Sequence, residues 1–276
     1  MDLIFQAVVI GIIQGLTEFL PVSSSAHLIV TPPLLGWNDA FLNSAAFDVM
    51  LHMGTLIALL VYFWRDLLRL IHAGWEALRE RSFAGDPDRR LAWLILISVV
   101  PAAILGAALE SFFDTWFRDH LLVIPAVMLL GALILWLAER VGRRIRSLHD
   151  LRVGDAVVIG AAQALALVPG TSRSGVTLTA GLFLGLRRDD AARFAFLMGI
   201  PIIAGAGLWK MRTLVAEPPA SGEIVALLAG MIAAAISGLL AISFLLRYLR
   251  TNSTGIFIAY RIVFAVVVAA LLVVRG

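Results

Sequence analysis

Apolar residues run along this chain in blocks of about twenty, the length needed to cross a bilayer as helix, separated by short arginine-rich segments. Six blocks read as full spans: 45–64, 91–110, 121–138, 194–209, 223–246 and 254–274. Within them Leu91–Leu109, Leu121–Ala138 and Ile224–Leu246 carry no charge at all. Two further apolar regions, 2–36 and 153–186, are interrupted by proline and a polar cluster, Pro21-Val22-Ser23-Ser24-Ser25 and Pro169-Gly170-Thr171-Ser172-Arg173-Ser174-Gly175. As full spans they would put the basic segments that follow on the wrong face. As helix–break–helix elements that enter and leave on one side, they fit every flanking charge. The pattern therefore predicts re-entrant hairpins with tips at membrane depth, where unpaired backbone is tolerated only inside protein or beside a wet cavity.

The charges set the expected topology. Segment 65–90 holds Arg65, Arg69, Arg79, Arg81, Arg89 and Arg90, and segment 139–152 holds Arg140, Arg143, Arg144 and Arg146. The positive-inside rule places both in the cytoplasm, together with Arg187, Arg188, Arg193, Arg247 and Arg250. The segment 111–120, with one Arg and two Asp, is expected as a loop on the outer face. One hairpin plus three spans per half starts the second half on the opposite side. The fold expected is thus a single all-α, polytopic membrane domain: six transmembrane helices plus two re-entrant helical hairpins, with inverted-repeat halves at about 1–138 and 153–276. A faint echo supports this: Ile13-Gln14 and Leu20-Pro21-Val22-Ser23-Ser24 against Ala162-Gln163 and Val168-Pro169-Gly170-Thr171-Ser172. Phe47–His52 and Phe194–Gly199 match more loosely.

Composition narrows the function classes. The chain is 61% apolar and 15% charged, against roughly 45–50% and 25% in soluble domains. The net charge of +3 sits in connecting segments, a mark of topology and not of nucleic-acid binding. Cysteine is absent, so disulfides, thiolate metal sites and cysteine nucleophiles are excluded. Trp64, Trp93, Trp116 and Trp209 fall near span ends as interfacial anchors, while His72, His120 and His149 are expected at solvated edges.

Candidate chemistry concentrates in the two breaks. Gln14 and Glu18 are four residues apart, on one helix face. A carboxylate there is either satisfied by a structural partner or serves as an oxygen ligand for Mg²⁺ or Ca²⁺, or as an acid–base group. Ser23, Ser24 and Ser25 follow Pro21 as helix caps or as a nucleophile, with His27 three residues after Ser24, placed to activate it. In the second break Gly170 and Gly175 allow close backbone approach, Thr171, Ser172, Ser174 and Thr177 supply hydroxyls, and Arg173 supplies a planar cation. That set suits a phosphate; the alternative for Arg173 is an internal ion pair with Glu18. Asp48 and His52 form an i, i+4 pair, read as a helix-internal hydrogen bond ahead of a wall of the site. Arg261, beside Tyr260 in the last span, is expected to pair with a carboxylate or to reach the interface.

The strings Gln14-Gly-Leu-Thr-Glu-Phe-Leu-Pro-Val-Ser-Ser-Ser-Ala-His27 and Pro169-Gly-Thr-Ser-Arg-Ser-Gly-Val-Thr177 closely resemble the two signature motifs of the bacitracin-resistance family of undecaprenyl-diphosphate phosphatases. The resemblance extends over essentially the whole chain, including Phe63-Trp64-Arg65 and Tyr260-Arg261. It implies Glu18 in metal or proton chemistry, Ser24 as nucleophile, His27 as its base, Arg173 as diphosphate clamp, and Ser23, Ser25, Gly170, Thr171, Ser172, Ser174, Gly175 and Thr177 around the substrate. Gln14 stands where the family often has Glu, so the divalent cation, Mg²⁺ or Ca²⁺ on Glu18 and Gln14, is expected to be recruited with the substrate. The resemblance further implies hydrolysis of the lipid carrier's diphosphate for peptidoglycan synthesis, in a bacterial inner membrane, with the site open to the outer face. The partners expected are the polyprenyl diphosphate and membrane lipid, with a homodimer among the assemblies the sequence allows. The competing class is a lipid or anion transporter built on the same broken helices.

Overall fold

The computed structural model describes residues 2–37, 39–83, 85–216 and 219–275; the side chains of 45–46, 110–119, 210, 212–216, 221 and 275 lie outside the description, and with them Trp116 and the charges expected on the outer loop. The chain opens with α1 (Leu3–Phe19), breaks, and resumes as α2 (Ser24–Leu35). Then come α3 (Ala45–Tyr62), α4 (Trp64–Glu80), α5 (Pro87–Asp119) and α6 (Val123–Val141). The chain continues with α7 (Val153–Ala164) and a short 3-10 turn at Leu165–Leu167, α8 (Arg173–Phe183), α9 (Arg188–Ala216), α10 (Ser221–Tyr248) and α11 (Gly255–Arg275). Five of these helices contain a segment long and apolar enough to cross a membrane, Pro87–Leu109, Val123–Val141, Arg188–Trp209, Gly222–Tyr248 and Gly255–Val274, and the bent pair α3–α4, counted as one span, brings the number to six. The molecule is a multi-pass, all-α membrane protein.

Two expectations are corrected. Segment 111–120 is not a loop; the backbone of α5 stays helical to Asp119. Segment 65–90 is not a plain linker either, since α4 turns off α3 by 77° at Phe63 and is apolar on two sides. Leu70, Ala73 and Ala77 are buried where α4 packs on α5. Trp64, Leu68, Ile71, Trp75 and Leu78 form an exposed stripe, the pattern of a helix lying in a membrane interface. The arginines alone suggest a solvated connection, and the helical spacing of the apolar residues overrides that reading.

The two hairpins are built alike. Each second helix is capped by a serine in the left-handed region, Ser23 at φ 76° and Ser172 at φ 71°, an uncommon state for a non-glycine residue. Ser23 Oγ accepts from the Ala26 amide (3.4 Å) and Ser172 Oγ from the Gly175 amide (3.1 Å). Each hydroxyl also meets the serine two residues on, at 3.2 Å for Ser25 and 3.3 Å for Ser174. Each first helix leans on a span of the other half, α1 on α10 and α7 on α5. The contact is backbone to backbone: a Cβ on Gly11 or Gly160 would strike the carbonyl of Gly230 or Ser98. One constant offset relates Gly11 to Gly160, Gln14 to Gln163, Ser23 to Ser172 and Ser24 to Arg173. In this register Pro21 and Pro169 are one residue out of step, so the echo visible in the sequence, which paired them, is shifted by one.

The arginine-rich segments meet at one end of the bundle. Glu139, closing α6, accepts from Arg144, from Arg188 at the start of α9, and from the Thr254 hydroxyl (2.9 Å) ahead of α11. Asp66 at the start of α4 pairs with Arg193 (2.7 Å), and Arg146 with Asp155 (2.5 Å). A single face thus collects the basic linkers, as the positive-inside rule requires. Because the chain lacks Cys, single cysteines report sidedness without background. Glu80→Cys should resist an impermeant thiol reagent applied outside intact cells, and His120→Cys should react. Labelling of position 80 from outside would overturn the topology.

Candidate active site

The two tips meet at Glu18. The side chain lies at the end of α1, 6% exposed, and its carboxylate is shared among both halves. Arg173 Nη2, at the first residue of α8, donates to Oε1 at 2.8 Å. Ser24 Oγ, at the first residue of α2, donates to Oε2 at 2.6 Å, and Gln14 Nε2 donates to the same oxygen at 3.1 Å. His52 of α3 brings Nε2 to 3.8 Å from it. The N-termini of α2 and α8 therefore open on one point, and helix N-termini favour anions. Of the polar residues in the two breaks, Ser24, Ser25, Thr171 and Arg173 keep accessible surface while Ser23, Ser172, Ser174 and Thr177 are buried.

Several expected roles change with this geometry. Arg173 does form the ion pair with Glu18 that was the alternative to a phosphate clamp. One N–H serves Glu18, leaving the rest of a five-donor guanidinium for an anion, so the two readings coexist. Its guanidinium lies against Gly199, where a Cβ would overlap Nη1. His27 does not contact Ser24 as its base. Its Nδ1 lies 2.7 Å from the Ser23 carbonyl and its Nε2 2.7 Å from the Tyr260 hydroxyl, with the ring stacked 4.0 Å from Phe264. A helical residue three places on points its side chain away once both ring nitrogens are held elsewhere. The oxygen facing the Ser24 proton is Glu18's.

The hydroxyls expected around substrate mostly hold the tips. Ser23 and Ser172 are caps, Ser174 donates to the Leu20 carbonyl at 2.9 Å, and Ser25 accepts from the Gly170 amide at 3.4 Å. Thr177 turns back to the Arg173 carbonyl at 2.7 Å. Gly170 takes φ 96°, open only to glycine without strain, and Gly175 gives its amide to the Ser172 cap.

Sequence reasoning missed the residue that joins the tips. Arg261 is 1% exposed, short of any interface, and among the described residues it pairs with no carboxylate. It donates from Nε to the Met128 carbonyl (3.2 Å), from Nη1 to those of Thr171 (3.1 Å) and Pro21 (3.5 Å), and from Nη2 to Gly170 (3.0 Å). It rests on Gly131, where a Cβ would overlap Nη2. The signals were an arginine inside an apolar span and, for His52, a histidine in another; intramembrane ionisable groups mark function by default.

Fold and site together define an integral membrane protein in which a serine, a carboxylate and an arginine meet where two broken helices converge. The model of the family described as bacitracin resistance protein BacA matches residues 7–267, and the chain belongs to that family. Similar proteins include the undecaprenyl-diphosphatase of Thermomicrobium roseum, 48% identical over 270 residues covering 96% of each chain. Those of Moorella thermoacetica and Gemmatimonas aurantiaca are each 46% identical over 272 residues, covering 99% of both chains.

Arg261→Met keeps volume but strips donors from four carbonyls, and a buried acceptor left unsatisfied costs about 1–3 kcal/mol. The melting temperature of the purified variant in detergent should fall by several degrees. Arg261→Lys, with three donors, should fall between the two. An unchanged melting temperature in Arg261→Met would show that the tips hold without it.

Proposed function

We propose that this chain hydrolyses undecaprenyl diphosphate to undecaprenyl phosphate and inorganic phosphate, returning the lipid carrier to peptidoglycan synthesis. The observation that carries this reading is the Ser24 hydroxyl donating to Glu18 at the N-terminus of α2, beside Arg173 at the N-terminus of α8. Arg173 and the two helix N-termini take the terminal phosphate, whose charge they neutralise. Ser24 Oγ attacks the terminal phosphorus, its proton passes through the Glu18 carboxylate to the bridging oxygen as that bond breaks, and the lipid monophosphate leaves. Water then cleaves the phosphoserine, Glu18 relaying the proton, so that one water is consumed and Ser24 regenerated. His27 holds the strained Ser23 carbonyl and so positions Ser24. A transporter would use Arg173 equally but has no need of a serine hydrogen-bonded to a carboxylate.

A divalent cation, which the family resemblance implies, fits the residues present. The Gln14 amide oxygen is buried and has no hydrogen-bond partner among the described residues, and Glu18 lies one turn away. When bound, the ion would share the charge on the transferred phosphate with Arg173. Among the described residues no three His, Asp or Glu side chains cluster as a cage, which supports an ion, Mg²⁺ or Ca²⁺, that joins together with substrate oxygens. The reading extends to a bacterial inner membrane, with the head group entering from the outer face and the polyprenyl tail lying among the spans.

The test is phosphate release from undecaprenyl diphosphate by protein purified in detergent, with and without chelator. Ser24→Ala and Arg173→Ala should each lower kcat/KM by about 100-fold or more; the melting temperature should hold in Ser24→Ala and fall in Arg173→Ala, which leaves Glu18 buried without its cation. Near-normal turnover in Ser24→Ala would leave water as the nucleophile. Gln14→Glu, adding a carboxylate, should lower the Mg²⁺ concentration for half-maximal activity. Equal Mg²⁺ dependence in both proteins, or full activity in excess chelator, would remove the cation from Gln14 and Glu18.

A further inference from the structure

His52 stands at the centre without a part in the reaction described. It comes from α3, outside both hairpins, and its ring faces Glu18. Nδ1 lies 2.7 Å from the Asp48 carbonyl, which can only accept. The hydrogen is therefore on Nδ1, and in the neutral ring Nε2 carries a lone pair. That nitrogen lies 3.8 Å from Glu18 Oε2, too far for a hydrogen bond. Two donors that share one ion about 2.1–2.2 Å from each are roughly 3.0–4.3 Å apart, so the gap is the size of a common cation. The third element is the Gln14 amide, whose nitrogen is 3.1 Å from the same Oε2 while its oxygen is buried and unpartnered. An orphaned buried oxygen, a carboxylate and an imidazole nitrogen lie together.

We propose that His52 is a ligand of the divalent cation, forming with Glu18 and Gln14 a mixed nitrogen–oxygen site that favours Mn²⁺ over Mg²⁺ and Ca²⁺. This rests on the cation assigned to Glu18 above. Three features support it. Metal-bound histidines donate their other nitrogen to a carbonyl or carboxylate, which fixes the ring, and Asp48 does so here. His27, the other histidine near the tips, has both nitrogens engaged by Ser23 and Tyr260. The His52 side chain is 39% exposed against 5% for Glu18, so its side of the site is open, leaving positions for diphosphate oxygens. Carboxylate and amide oxygens suit Mg²⁺, Ca²⁺ and Mn²⁺, whereas imidazole suits the later transition metals. Mn²⁺ accepts both, and the nitrogen shifts the preference towards it.

The test reads the ion and not the turnover. Mn²⁺ is added to excess purified protein, alone and with farnesyl methylenediphosphonate as a non-hydrolysable analogue. Electron spin-echo spectroscopy then detects any directly bound ¹⁴N. The wild type should show imidazole nitrogen on Mn²⁺, and His52→Gln should lose it and bind Mn²⁺ about ten-fold more weakly, with a smaller change for Mg²⁺. Mn²⁺ binding that Glu18→Gln abolishes but that shows no histidine nitrogen would overturn the proposal and leave the cation on Glu18. A nitrogen signal that survives in His52→Gln would overturn it as well. Mn²⁺ binding indifferent to Glu18→Gln, or no binding even with the analogue, would remove the cation from this site altogether.

Discussion

Breaking a helix inside a membrane leaves carbonyls that neither lipid nor helix can satisfy, and Arg261 resolves this for both breaks at once. No other single side chain could. The carbonyls of Pro21, Gly170, Thr171 and Met128 come from two hairpins and a span, and only guanidinium carries enough donors in a rigid fork to meet them. A buried charge is expensive unless its donors are all used, and here carbonyl dipoles do for it what water would. Since those bonds go to carbonyls and not to a carboxylate, its charge is not cancelled locally. It adds to the N-termini of α2 and α8 just behind Ser24 and Arg173, and the tips become a region where a phosphate gains and a neutral molecule does not.

The symmetry of the hairpins explains how the chemistry is divided. Equivalent serines, Ser23 and Ser172, sit in equivalent strained conformations, so the backbone presents the next residue of each hairpin in the same way to the same point. In one half that residue is Ser24, in the other Arg173. The scaffold is duplicated and the side chains are not. Glu18 is matched by Leu167, which leaves one carboxylate between two helix N-termini and keeps the site net positive. His52 and Gly199 play the same complementary roles on α3 and α9. One fills the space beside Glu18 with an imidazole, and the other empties the space that the Arg173 guanidinium occupies.

Much of this was legible in the sequence because it depends on composition. Spans, breaks and basic segments follow from hydropathy and charge, and the structure has helices where they fall. The residues in the breaks were legible as a group because ionisable side chains at membrane depth mark function by default. Their partners were not legible. Spacing put His27 within reach of Ser24, but a left-handed cap at Ser23 and the Tyr260 hydroxyl, 233 residues away, decide where the ring goes. Thr177 reads as a ligand and serves its own helix. The amphipathic α4 was masked by its arginines, and Arg261 could not be understood without knowing that both tips would arrive beside it.

The ion pair between Glu18 and Arg173 shows why structural and functional readings of a buried charge need not compete. Alone, each would be costly at membrane depth; together they are stable, and the protein can fold before any lipid arrives. The pairing is also incomplete by design of the groups themselves. A carboxylate accepts on two oxygens, and Arg173 takes one of them, Oε1, leaving Oε2 for Ser24. A guanidinium has further donors that Glu18 does not use. The contact that stabilises the resting site therefore leaves Oε2 to the Ser24 hydroxyl and leaves further guanidinium donors of Arg173 open, as the proposed reaction requires. What binds the halves together and what the proposed reaction would use are the same two side chains, seen from different faces.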